Sequence, residues 1–157
     1  MTVDAPTDCE AIVTHNVMEP FNPSRGLRYL PNSSCVIIDR DPRDSFTEMA
    51  PYSHVALEVN DFIERFRVLR QASKVKFDLP ERVIRLKYED LVFDYEETVV
   101  KLFKFLGEPR KKHINAGNFF SPKKAKLNTK VWKNHHRPED INKIVTELAE
   151  WCDRRID

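Results

Sequence analysis

The sequence predicts an α/β fold, a parallel sheet flanked by helices, on three observations. The run "CVIID" at 35–39 is apolar on consecutive positions, as in a strand covered on both faces. A second strand pattern, "RVIRLK", occupies 82–87. Between them Val55, Val59, Phe62, Phe66 and Leu69 recur at spacings of three and four, the signature of an amphipathic helix. Strands joined through a helical crossover run parallel, and ligands of such sheets gather beyond the carboxyl ends of the strands.

The remaining elements follow in order. Ala11, Ile12 and Val13 lead into Thr14 and His15 as a short first strand. Residues 16–34 carry Pro20, Pro23 and Pro31 among Asn and Ser, and read as a linker. A helix is expected over 43–50, with Pro42 near its first position. Asp94 opens another, with Glu97 three residues on as a variant capping box. Its buried stripe is Val99, Leu102, Phe103 and Leu106, and Gly107 marks its stop. Residues 108–137 are basic and without periodicity, hence irregular. The last helix opens at Pro138, with Ile141, Ile144, Val145, Leu148 and Cys152 inward.

Composition narrows the function classes. A chain of 157 residues, 41% hydrophobic and 32% charged, can bury a core and stay in solution. The net charge of +1 gives no global attraction to nucleic acid or a membrane surface, so any anion site is local. No apolar run reaches the ~18 residues of a membrane span, and the polar start does not read as a signal peptide. Cys9, Cys35 and Cys152 are odd in number and form no CxxC pair, so they read as free thiols in a reducing, cytoplasmic setting.

Three candidate positions sit at or just past strand ends: His15, Arg40 and Tyr88. A guanidinium is permanently charged, and its fork of donors fits phosphate oxygens two at a time. At a strand end and before a helix, Arg40 would share an anion with free backbone amides. The competing reading pairs it with Asp39, Asp41 or Asp44. Tyr88 in "KYEDL" either stacks on a base or caps the sheet edge, and Glu89 and Asp90 cap the next turn. "SPKKAKLNTKVWKN" at 121–134 holds five lysines around Asn128, with Trp132 as a ring that anchors them. His15, with an unperturbed pKa near ~6.5, suits a general base, although a lone histidine is more often structural. His54, His113, His135 and His136 show no metal-ligand spacing, and no metal site is assigned.

Taken together, "VIIDRDPRDSF", then "RVIRLKYEDLVFDYEETVVKLFKFLG", then a basic segment ending in "VWKN" resemble the sulfotransferase family, from about Ile12 to Trp132. That resemblance implies a P-loop-kinase-like three-layer fold and 3′-phosphoadenosine 5′-phosphosulfate, PAPS, as donor. It makes Arg40 the holder of the cofactor's 3′-phosphate and places Tyr88 near the adenine. Lys126 and Asn128 match the basic loop that returns to the 3′-phosphate. "VTHN" resembles the segment that carries the family's catalytic base, here His15. Such a base takes a proton from an acceptor hydroxyl or amine as it attacks sulfur, while fixed cations stabilise the departing phosphate.

The sequence departs from the family pattern twice. Eight residues after the strand-end arginine the family carries serine, whereas this chain has Glu48, which repels a phosphate; Ser45 and Thr47 are the nearest substitutes. No Pro-Lys-Ser-Gly-Thr-Thr-like phosphosulfate loop occurs. The expectation is therefore the C-terminal portion of a sulfotransferase domain over residues 1–157, with the fold present in part. Its partner would be an upstream segment or another chain supplying the phosphosulfate cradle, and its acceptor is left open. The alternative is a non-catalytic relative that keeps the nucleotide edge for binding or interaction. An RNA-binding module is disfavoured by near-neutral charge and by lysines without interleaved aromatics.

Overall fold

A computed structural model of the chain describes residues 13, 22–49, 58–74, 79–108 and 120–157, with only the backbone described over 71–74. Two strands, β1 (Cys35–Asp39) and β2 (Val83–Lys87), pair in parallel with Cys35 opposite Val83 and Asp39 opposite Lys87. The helical crossover between them is realised by α2 (Pro42–Met49) and α3 (Val59–Lys74). The helix-flanked parallel α/β arrangement expected from the sequence is therefore present. The first strand expected at 11–13 falls outside the described residues except Val13, which is not in a strand.

The core lies beside the sheet. Phe46 of α2, Val59, Phe62, Ile63 and Phe66 of α3, and Ile141 and Ile144 of α7 (Pro138–Glu147) pack with Leu148 into one cluster, against which Trp132 and Trp151 rest. Its rings meet at tilted angles, with Phe46 5.2 Å from Phe62 and Phe62 5.7 Å from Phe66. The three-and-four spacing thus selects the right face of α3 at Val59, Phe62 and Phe66, with Leu69 half-buried and Val55 outside the described residues. Val145 of α7 was expected inward and is turned outward, because Ile141, Ile144 and Leu148 already span the face toward α3.

The sheet departs from expectation on one face. Ile37 and Asp39 are buried, but Val36 and Ile38 are exposed among the described residues. The helices α4 (Tyr88–Phe93) and α5 (Tyr95–Leu106) pack on β2, where Leu86 is buried, and leave those two side chains of β1 uncovered. For the same reason the expected stripe of α5 is only half-buried at Val99, Leu102 and Phe103 and exposed at Leu106. The capping box at Asp94 does not form: its carboxylate binds Arg155 instead. The stop does form. Gly107 adopts φ +69°, and Glu108 N–H reaches Phe103 O at 3.1 Å.

Two segments read as irregular are built. Pro23 starts α1 (Pro23–Tyr29), which buries Leu27 completely. Arg82, expected as the first residue of β2, lies in a 3₁₀ turn, Pro80–Arg82, and donates to the carbonyls of Leu27, Leu30 and Ser33. It thereby adds side-chain bonds to the carbonyls at and just beyond the end of α1, two of which also accept from backbone amides. In the basic segment, Ser121 caps α6 (Pro122–Ala125), and 3₁₀ turns follow at Lys126–Asn128 and Val131–Asn134.

A buried carboxylate ties this basic segment to the start of α2. Asp44, fully buried, accepts from Lys130 N at 3.0 Å and from Trp132 N at 3.1 Å. Lys130 sits at φ +65°, a conformation unfavourable for a side chain, and the bond to Asp44 holds it there. Burial pushes the Asp44 carboxyl above its ordinary pKa, while the Trp132 and Lys130 amides pull it back. Replacing Asp44 with alanine strands two backbone donors at about 1–3 kcal/mol each. Urea denaturation of Asp44→Ala is expected to show a loss of about 2–4 kcal/mol, and Asp44→Asn, which retains one oxygen, a smaller one. An unchanged midpoint for the alanine variant would show that water replaces the tie.

Candidate functional site

Register determines which side chains share the site. Asp39 of β1 lies opposite Lys87 of β2, so the next residue of each strand, Arg40 and Tyr88, emerge together at the carboxyl edge. The Arg40 guanidinium lies 5.0 Å from the centre of the Tyr88 ring. The Tyr88 hydroxyl donates to Ala125 O at 3.0 Å, which brings α6 and the following turn over this edge. Asn128 then offers its backbone carbonyl to Arg40 Nη2.

Of the five residues predicted from the sequence, three converge here: Arg40, Tyr88 and Asn128. Asn128 accepts from Arg40 through its backbone carbonyl, and its side chain hydrogen-bonds the Tyr88 phenol. Lys126 does not join them; its ammonium stands 5.7 Å from the centre of the Phe93 ring. His15 lies outside the described residues.

The partner of Arg40 within the chain is not one of the acids weighed on the sequence. It does not bind Asp39, Asp41 or Asp44. Its fork closes on Glu48, in the last turn of α2: Nη1 donates to Oε2, and Nη2 to Oε1 at 2.8 Å. The neighbouring acids are committed elsewhere. Asp39 is bound by Arg70 and Arg85, each at 2.8 Å. Asp41 accepts from Arg43 Nε at 3.0 Å and Nη2 at 2.9 Å, and Asp44 holds the basic segment. Burial opposes the charge on Arg40, but the hydrogen bonds and attraction of Glu48 outweigh it, and its pKa rises. Burial likewise raises the Tyr88 phenol, against the lowering effect of Arg40.

The backbone amides expected to share an anion with Arg40 are also occupied. Arg43 N–H donates to the Asp41 carboxylate at 2.8 Å, as in an N-cap. Asp41 N–H donates to Glu89 Oε1 at 2.9 Å. Glu89 is itself almost completely buried, and burial pushes its carboxyl up. Expected with Asp90 to cap the next turn, Glu89 links α4 to the start of α2. Thr47, weighed as a substitute phosphate contact, donates its hydroxyl to Arg43 O at 2.9 Å.

The support beneath the site comes largely from residues that local sequence patterns did not single out. Arg43 is buried and lies 4.7 Å from the centre of the Trp132 ring, which explains why that tryptophan anchors the basic segment. Arg43 also reaches Asp157 at 2.7 Å and Asp153 O at 3.1 Å, while Asp153 N–H returns to Asp41 at 2.7 Å. Arg155 gathers Asp90, Asp94 and Asp153. The Cys152 thiol, buried beside Asp41, is pushed up to about 11, and Cys35 is likewise a free thiol raised by burial. Cys9 lies outside the described residues. The alternation of acids and arginines in "DRDPRD" was visible, but its partners more than a hundred residues away were not.

The described part of the chain therefore presents an arginine and an aromatic ring at the carboxyl edge of a parallel sheet, closed by a basic segment and lined with carboxylates. A family model described as "Sulfotransferase family" matches residues 10–112, well over half of the chain. The matched stretch contains His15, Arg40, Glu48 and Tyr88, while Lys126, Asn128 and Trp132 lie beyond it. Comparison with curated proteins and with solved structures gave no match. With its strand-end arginine and tyrosine inside the matched stretch, this chain belongs to the sulfotransferase family.

Proposed function

We propose that this chain is the C-terminal portion of a PAPS-dependent sulfotransferase with a P-loop-kinase-like sheet, transferring a sulfuryl group to an acceptor hydroxyl or amine. The observation that carries this reading is the meeting of Arg40 and Tyr88 at the carboxyl ends of β1 and β2. An aromatic face beside a fixed guanidinium suits a purine carrying a phosphate. PAPS, when bound, supplies an activated sulfuryl group on a phosphate leaving group. Arg40 would hold the 3′-phosphate, Tyr88 would adjoin the adenine, and Lys126 and Asn128 would border the 3′-phosphate from the basic segment. His15 would accept the acceptor's proton. Another segment or chain would supply the phosphosulfate cradle, for which these 157 residues offer no Pro-Lys-Ser-Gly-Thr-Thr-like turn.

A second reading is a non-catalytic relative serving as a binding or interaction domain, and the closure of the Arg40 fork on Glu48 favours it. The two readings part on transfer of labelled sulfate from PAPS. Residues 1–157 alone are expected to transfer at background rate; robust turnover by them would mean that another segment acts as the cradle. In a form that turns over, His15→Ala is expected to lower kcat by about 10²–10⁴-fold with little change in affinity for the cofactor product. Near-normal turnover would return His15 to a structural role.

Cofactor recognition is tested at Arg40 by calorimetric titration of the full chain. Arg40→Ala is expected to weaken adenosine 3′,5′-bisphosphate by about one to two decades, the value of a charged hydrogen bond of about 1.5–3 kcal/mol. Adenosine 5′-phosphate, which lacks the 3′ group, should lose much less. Equal losses for both nucleotides would remove Arg40 from 3′-phosphate recognition.

A further inference from the structure

The anion seat at Arg40 is already filled by the protein. Glu48 presents both carboxylate oxygens to both terminal nitrogens of Arg40, the two-point geometry by which a guanidinium also holds a phosphate. The Asn128 carbonyl takes a further bond from Nη2, and Arg40 Nε is buried without a hydrogen-bond partner among the described residues. A second anion therefore cannot take the two-point position while Glu48 is there. Glu48 can leave: its side chain is 43% exposed, against 20% for Arg40, and it lies in the last turn of α2. Arg43, Lys130 and Lys126 make contacts of their own. Arg43 is held by Asp41 and Asp157, Lys130 Nζ donates to Asp157 O at 3.0 Å, and Lys126 lies against Phe93.

We propose that Glu48 is a resident anion, a carboxylate built into α2 that competes with ligand phosphate for the Arg40 fork and so sets how strongly this site takes a phosphorylated nucleotide. This rests on the reading of the edge as a site for a 3′-phosphorylated adenine nucleotide. An entering phosphate must break the Arg40–Glu48 pair and then lie beside the displaced carboxylate. Both effects oppose binding, and both vanish when the side chain is neutral. Glu48 is thus a specificity-determining residue: it penalises a ligand with a group at this position and is indifferent to one without.

The test titrates adenosine 3′,5′-bisphosphate and adenosine 5′-phosphate into the full chain, comparing the unmodified protein with Glu48→Gln, Glu48→Ala and the double variant Arg40→Ala/Glu48→Gln. Thermal melting checks that each is folded. Glutamine keeps the size of the side chain, so it serves if the alanine variant does not fold. Both single variants are expected to bind the bisphosphate about tenfold more tightly, or to gain binding from none, as removal of an ion pair and a facing like charge implies. Adenosine 5′-phosphate should be unchanged, and the gain should disappear in the double variant. If the unmodified protein prefers the bisphosphate and neither Glu48 variant tightens it, the resident-anion proposal fails and the nucleotide reading survives. An equal gain for both nucleotides, or a gain that persists without Arg40, also overturns the proposal. If no variant distinguishes the two nucleotides, the proposal and the nucleotide reading fall together.

Discussion

The structure depends on placing negative charge out of water at the beginning of α2. Asp41 and Asp44 are almost wholly buried, and an unpaired carboxylate there would be prohibitively costly. Each is therefore surrounded by donors drawn from distant parts of the chain. Asp41 receives the guanidinium of Arg43 and the backbone of Asp153, and Asp44 receives the backbone of Lys130 and Trp132. These bonds close the C-terminal third of the chain over the sheet edge. The hydrophobic cluster of α2, α3 and α7 supplies the nonspecific part of the stability, and the buried acids fix how the basic segment is set on it.

That arrangement separates two arginines three residues apart. Arg43 is a structural cation, enclosed by Asp41, Asp157 and the Trp132 ring. Arg40 projects from the strand end toward Tyr88 and keeps a partly open face. The difference lies in the start of α2, whose first turn carries Arg43 back beneath the sheet edge while Arg40 remains above it. With its neighbouring acids so committed, Arg40 is left to Glu48 and the Asn128 carbonyl.

The membership in the sulfotransferase family and the state of the Arg40 fork pull in different directions. The matched region brings the strand-end arginine and the tyrosine of the family pattern to one edge. The same edge is electrically closed by the protein's own carboxylates. Among the described residues no helix is long and apolar enough to cross a membrane, and the basic segment is held by backbone and aromatic contacts while Lys123, Lys124, Lys126 and Lys133 stay exposed.

The strands and the longer helices were readable in the residues, whereas α1 and α6 were not. Consecutive apolar positions marked β1, the three-and-four spacing marked α3, Pro42 and Pro138 opened helices where they stand, and Gly107 closed α5. These features arise from local sterics and from the period of burial, which a short window of sequence contains. The motifs "DRDPRD", "KYEDL" and "VWKN" also identified the parts of the candidate site. Tertiary structure alone decided how those parts are paired. Glu48 rather than Asp44 closes on Arg40, Asp44 holds Lys130 and Trp132, and Asp94 abandons its own helix for Arg155. A charged side chain chooses its partner by distance and desolvation in three dimensions, and those are set by crossing chain segments that no local pattern encodes.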